Sequence, residues 1–107
     1  MLPKKERLTK TEFDNYFKTG KRYHSKNLQL IHAPSDAFHG AAVVGKKVFK
    51  TAVKRNQTRR QLYGVLHRQK KQSGLTGVFI VIAKPGVKAL SRLELLAEAN
   101  TLIDQVS

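Results

Sequence analysis

Residues 78–83, Val-Phe-Ile-Val-Ile-Ala, are an unbroken run of β-branched and aromatic side chains. A strand with one wet face alternates between apolar and polar residues; this run does not, so it suits a strand covered on both faces. It follows a break at Ser73-Gly74-Leu75-Thr76-Gly77 and stops at Pro85-Gly86. The rest of the chain must supply the cover, and it has little material. Its 107 residues make one small domain, residues 1–107, and a chain of that size buries only about two thirds of its unfolded surface. The 40% hydrophobic content still sustains a core and argues against a disordered basic tail.

The remaining elements read from local signals. Thr9-Lys10-Thr11-Glu12 is a capping box, with Leu8 and Phe13 placed as a hydrophobic staple. It opens a short helix to about Lys18 that carries Phe13, Tyr16 and Phe17 on one side and ends at Gly20. Residues 27–33 alternate well enough for a strand, Pro34-Ser35-Asp36 signals a turn, and residues 40–45 are a second strand candidate. A helix is expected over residues 50–71, although Thr51, Val53 and Gly64 weaken it. The last helix opens on a second capping box, Ser91-Arg92-Leu93-Glu94, and its Leu95, Leu96, Ala99, Leu102, Ile103 and Val106 form one apolar stripe. The order is helix, strand, strand, helix, strand, helix, which predicts an α+β sandwich of helices against one small sheet.

Charge narrows the function. With 21 Lys and Arg against 7 Asp and Glu the formal charge is +14, which calls for a polyanion partner. Residues 1–71 hold 18 of the bases and four of the acids and so carry the whole excess; residues 72–107 hold three of each and are expected to complete the fold. The densest stretch, residues 46–60, has seven bases and no acid. A merely solvated face would carry some acids to relieve such repulsion. In the expected 50–71 helix, Arg55 and Arg59 fall on the same side as Leu62 and Leu66. That side can pack at its C-terminal end, but two unpaired guanidinium groups cannot be buried at the other, so the basic half projects to solvent or to a ligand. Lys54, Asn56 and Arg60 occupy other sides, and guanidinium forks suit phosphate oxygens.

Other chemistry finds few residues to work with. The absence of Cys removes disulfides, Cys-based zinc sites and Cys nucleophiles, and fits a reducing cytosol. His24, His32, His39 and His67 show no i, i+4 pairing, Glu12 is used as a cap, and Asp14 reads as a surface residue, so no catalytic or metal-binding set is expected. No apolar stretch approaches the roughly 20 residues needed to span a bilayer, and the start lacks a signal-peptide core. A soluble, cytoplasmic protein is expected. The basic half of the 50–71 helix also lacks the bulky apolar face a membrane-surface helix needs.

The segment Lys54-Arg55-Asn56-Gln57-Thr58-Arg59-Arg60 resembles the signature helix of the bacterial ribonuclease P protein subunit, an Arg-Asn-Arg core followed by basic residues. Four further blocks resemble that family in order and spacing. They are Arg7-Leu8 with Phe13 and Phe17, the turn at residues 17–22, Val44-Gly45-Lys46-Lys47-Val48, and residues 80–85 with the capped last helix after them. The resemblance implies a two-layer αβββαβα sandwich with a left-handed βαβ crossover. It also implies the accessory subunit of a ribonucleoprotein in which the RNA, with Mg²⁺ bound through it, removes the 5′ leader of precursor tRNA. The protein alone would hold no cofactor and would be a monomer in the absence of RNA. Its partners would be the catalytic RNA and the precursor tRNA.

Carried over by position, Lys46, Lys47, Lys50, Lys54, Arg55, Asn56, Gln57, Arg59 and Arg60 would contact the catalytic RNA. Arg7, Lys10, Phe13 and Phe17 would belong to the leader cleft. Gln57 stands where the family has its second Arg, keeping hydrogen-bonding capacity without the guanidinium fork. Ile31 and Tyr63 stand where relatives often have an aromatic residue and an Arg. Phe13 and Phe17 also read as ordinary core residues, and both roles are compatible because the floor of a cleft is the top of a core. The alternative function is a ribosomal-type structural RNA-binding protein.

Overall fold

The computed structural model describes residues 4–106. Its elements follow the order αβββαβα. A 3-10 turn, Lys4–Glu6, precedes α1 (Lys10–Thr19); then come β1 (Lys21–His24), β2 (Leu28–Ala33), β3 (Phe38–Val43), α2 (Ala52–Ser73), β4 (Gly77–Ala83), a 3-10 turn at Pro85–Ala89, and α3 (Arg92–Asp104). The strands form one sheet in the order β1-β2-β4-β3. β1 with β2 and β2 with β4 are antiparallel, while β3 and β4 are parallel and joined through α2 as a βαβ unit.

β4 is the buried strand its sequence requires. Phe79 and Val81 face the helix pair, Val78 and Ile80 face the other way, and none of the four exceeds 2% exposure. On the first side, Leu28, Leu30, Phe79 and Val81 pack with Leu62, Val65 and Leu66 of α2 and with Leu95, Ala99, Leu102 and Ile103 of α3. These two layers are the main core. On the second side, Ile31, Ala33, Val78 and Ile80 are covered in part by Leu8, Phe13 and Tyr16. The cover is incomplete: Ala41, Val43 and Ile82 on this side remain half-exposed.

Both capping boxes form. Glu12 Oε1 accepts from Thr9 N at 2.9 Å and Thr9 Oγ1 from Glu12 N at 3.2 Å; Glu94 and Ser91 repeat the arrangement at 2.8 and 3.2 Å. α2 ends at Gly74 in the left-handed region, φ 62°, where a side chain would be strained. α1 ends at Gly20, which lies so close over the sheet that a Cβ would sit 2.8 Å from Tyr16 O and also meet Ile31.

One strand and several boundaries differ from the expectation. Residues 21–24 form β1, which the charged sequence Lys-Arg-Tyr-His conceals: it is an edge strand in which only Tyr23 is half-buried and packed on the core. β3 begins earlier and ends earlier than residues 40–45, because Phe38 is buried opposite Gly77 and pairing ends at Val43. α2 runs to Ser73, past the expected 71.

The acids are mostly committed internally. Among the described residues the one ion pair joins Glu6 to Lys70, tying the start of the chain to the end of α2. Glu98 reaches across to β2 and accepts from Asn27 N at 2.7 Å, Asn27 Nδ2 at 2.9 Å and Ser25 Oγ. Desolvation pushes its carboxyl upward, but these donors and the Leu28 backbone outweigh that and hold it below its ordinary value.

Candidate nucleic-acid interface

α2 buries nothing before Thr58; its buried residues are Thr58, Leu62, Val65 and Leu66. The first turn and a half therefore overhangs the core, as the mixed face of the helix requires. Thr51 caps it, its Oγ1 accepting from Lys54 N at 3.4 Å, and no acid lies in the first turn. The positive end of the helix dipole and the basic side chains thus act in the same direction, which favours anions.

The preceding loop adds to this. Lys46 and Lys47 lie exposed in a turn closed by Val48 N on Gly45 O at 3.1 Å. Lys50, Lys54, Asn56, Gln57 and Arg60 are exposed; Arg55 and Arg59 are half-exposed. Arg55 turns back on its own loop and donates from Nη1 to the carbonyls of Phe49 and Lys50, both at 2.9 Å. Arg59 donates to Asn56 Oδ1 one turn earlier, which orients the Asn56 amide. Gln57 is exposed on the same turn.

Two depressions gather these residues. One of about 360 Å³ is lined by Phe49, Lys50, Thr51, Lys54 and Lys88. The other, about 240 Å³, is lined by Asn56, Arg59, Arg60 and Tyr63, with the Tyr63 ring half-buried against the core. Lys88 corrects the sequence expectation. It belongs to the charge-neutral last third, yet the turn Pro85–Ala89 sets it beside Lys50 and Lys54. No local sequence signal marks it, since its neighbours come from a helix more than 30 positions earlier. Lys84, by contrast, donates to Ser25 O at 2.9 Å and serves the fold.

The second group lies on the sheet's other face. Phe13 and Phe17 stack with centroids 5.7 Å apart. Phe13 is half-buried in the Ile31 cluster, whereas Phe17 is 38% exposed. Phe13 thus belongs in part to the core, and Phe17 presents its ring to solvent. Arg22 of β1, which sequence reasoning did not single out, lies 4.8 Å over the Phe17 ring and donates to Phe17 O at 2.7 Å. Arg7 is exposed and its backbone bridges to Gly40 beside β3; Lys10 is exposed at the start of α1. On this face of the sheet Ala41 and Val43 of β3 and Ile82 of β4 are half-exposed. An exposed aromatic ring under a guanidinium, with Arg7 and Lys10 exposed on nearby elements, is chemistry suited to stacked bases and a phosphate backbone.

Among the described residues, no three His, Asp or Glu side chains come together in a way that could hold a metal ion. The His32 ring lies tilted against Phe79 with centroids 4.8 Å apart, and partial burial lowers its pKa. No described helix is long and apolar enough to cross a membrane.

Comparison with known proteins follows the same line. The family model described as Ribonuclease P matches residues 2–107. The chain is 32% identical over 120 residues to the ribonuclease P protein component of Synechococcus sp. (strain RCC307), covering 98% of this chain and 94% of the relative. It is 32% identical over 110 residues to that of Microcystis aeruginosa, covering 95% and 91%. Among solved structures, a Staphylococcus aureus RNase P protein mutant with defective mRNA degradation activity superposes with a TM-score of 0.86 at 23% identity, covering 96% of this chain and 89% of that one. The RNase P protein from Thermotoga maritima gives 0.69 at 21%, covering 90% and 96%. At these identities the structural likeness is one of fold.

Proposed function

The chain belongs to the ribonuclease P protein component family, and from that premise we propose that it binds the catalytic RNA through α2 and the loop before it, and the 5′ leader of precursor tRNA in the cleft beside α1. As a member of that family it is the protein part of a ribonuclease complex that acts in tRNA processing, and its partner is the RNase P RNA. The observation that carries the finer reading is the overhanging first turn and a half of α2. It is basic on several sides, has no acid in its first turn, and is flanked by Lys46, Lys47 and Lys88. Such a surface neutralises phosphates from more than one RNA segment and releases their counterions.

The protein's share of the reaction is binding and electrostatics. Its cations reduce the repulsion between catalytic RNA and substrate as the two approach. The Phe17 ring, exposed under Arg22, offers a stacking platform for a leader base, and Arg7 and Lys10 hold the leader backbone. Mg²⁺ would be bound through RNA phosphates and would supply the activated water and charge stabilisation for phosphodiester hydrolysis. Five of the seven carboxylates are engaged internally: Glu6, Glu12, Glu94, Glu98 and Asp104. They are placed for folding rather than for acid or base chemistry.

Reconstitution with the RNA at low Mg²⁺ tests this reading. Cleavage of precursor tRNA should become faster and substrate binding tighter when the protein is added, and the gain should grow with leader length. Equal rates and affinities with and without protein would defeat it. A gain independent of the leader would favour a passive RNA-packing protein.

A further inference from the structure

On the opposite side of the sheet from α1, a cavity of about 180 Å³ opens between α2 and α3. Arg60 and Arg68 enter it from α2 and Arg92 from α3, with Val65 and Leu96 as its apolar part and Gly64 at its edge. Three like charges share one cavity, and no carboxylate answers them. α2 contains no acid at all. On α3, Glu94 accepts from Ser91 N, Glu98 is bound to Asn27, and Asp104 takes a hydrogen bond from Gln69. Among the described residues none of the three arginines is in an ion pair.

Gly64 adds an independent observation. A glycine inside a helix weakens it relative to alanine; close approach or a positive φ accounts for Gly20, Gly74, Gly77 and Gly86, and Gly45 lies in a loop, outside any helix. At Gly64 a Cβ would meet nothing within 4 Å. No packing in the free protein requires the missing side chain; its absence leaves room at the cavity.

We propose that this cavity is a second phosphate grip, which holds backbone phosphates of the RNase P RNA. Arg68 and Arg92 are contact residues here, and Arg60 is shared with the depression beside Tyr63. The inference rests on the reading of α2 as the RNA-facing element. Planar guanidinium forks from two helices fix the position of a phosphate as well as neutralising it. The gap at Gly64 lets the sugar-phosphate backbone approach the helix, with Val65 and Leu96 against the ribose. The RNA would then follow α2 from its basic end for more than four turns, as far as Arg68, rather than touching only its first two.

The test is binding of the full-length protein to the RNase P RNA alone across a salt series. Arg68→Ala with Arg92→Ala should weaken binding about tenfold at moderate salt and make the log-log salt slope shallower by about 1.4 to 1.8, the value for two phosphate contacts. Gly64→Leu, which fills the gap while favouring the helix, should weaken binding similarly with no fall in Tm. Wild-type affinity and slope in both variants would overturn the grip while leaving the function reading intact. A loss seen only once precursor tRNA is added would overturn the assignment to the RNA subunit. Failure of the unaltered protein to bind the RNA would overturn both readings.

Discussion

α1 and α3 open with the same device and are used in opposite ways. Each begins with a capping box in which a Glu three residues along closes back on the cap. Yet α1 buries no residue fully, whereas α3 buries Leu95, Ala99, Leu102 and Ile103. The box makes a helix; the sheet face decides what the helix is for. α3 completes a layer with α2 over Phe79 and Val81, and α1 covers only part of the other face, leaving Phe17 exposed and Ala41, Val43 and Ile82 half-exposed. The α1 side of the sheet therefore keeps apolar surface open to solvent, where the α3 side does not.

Substitutions should separate the two helices. The largest effect belongs to the core: Leu102→Ala, at 1% exposure, should cost about 2–5 kcal/mol of unfolding free energy in a denaturant titration. Next, Glu98→Ala leaves the buried Asn27 N–H without its acceptor and should cost about 1–3 kcal/mol, again with no change in leader dependence. On α1 the pattern inverts. Phe17→Ala should cost well under about 1 kcal/mol of stability, but should reduce the leader-dependent part of precursor binding by about 1–3 kcal/mol, one stacked base. If Phe17→Ala instead unfolded the protein, α1 would be core and the comparison would collapse.

The smallest effects should be the ones the two helices share. Thr9→Ala and Ser91→Ala should each cost about 1 kcal/mol. The carboxyls of Glu12 and Glu94 are both held below their ordinary values by the backbone N–H of the capping residue. The unfolded chain therefore takes up those protons first as pH falls. The stabilisation is complete above the ordinary carboxylate range, about 4.3 for Glu, and is lost as pH drops through the lowered values. Glu12→Gln and Glu94→Gln should flatten the acid limb of a stability-pH curve by similar amounts.

Legibility in the sequence followed the range of the interactions. Both capping boxes, the covered strand and the buried half of α2 were readable because their signals lie within a few residues or one helical period. β1 was not, since residues 21–24 form a strand only against β2, in register Lys21 with His32 to His24 with Gln29. In the interface, the 46–60 stretch was conspicuous by charge alone. Lys88 and Arg22 were not, because one reaches α2 through a turn late in the chain and the other reaches Phe17 across the α1–β1 corner. The even charge of residues 72–107 hid a division of labour, with Lys84 turned inward and Lys88 and Arg92 set beside α2.

The inward turn of Arg55 alters the thermodynamics of association. A loop ordered only on contact with RNA would charge about 1–2 kcal/mol of backbone entropy per fixed residue against the affinity. Arg55 has already tied the carbonyls of Phe49 and Lys50 to the first turn of α2. That ordering cost is met when the protein folds. If the lysines ahead of the helix contact the RNA as proposed, they would meet it on a preshaped support, and encounter would approximate the docking of a rigid template.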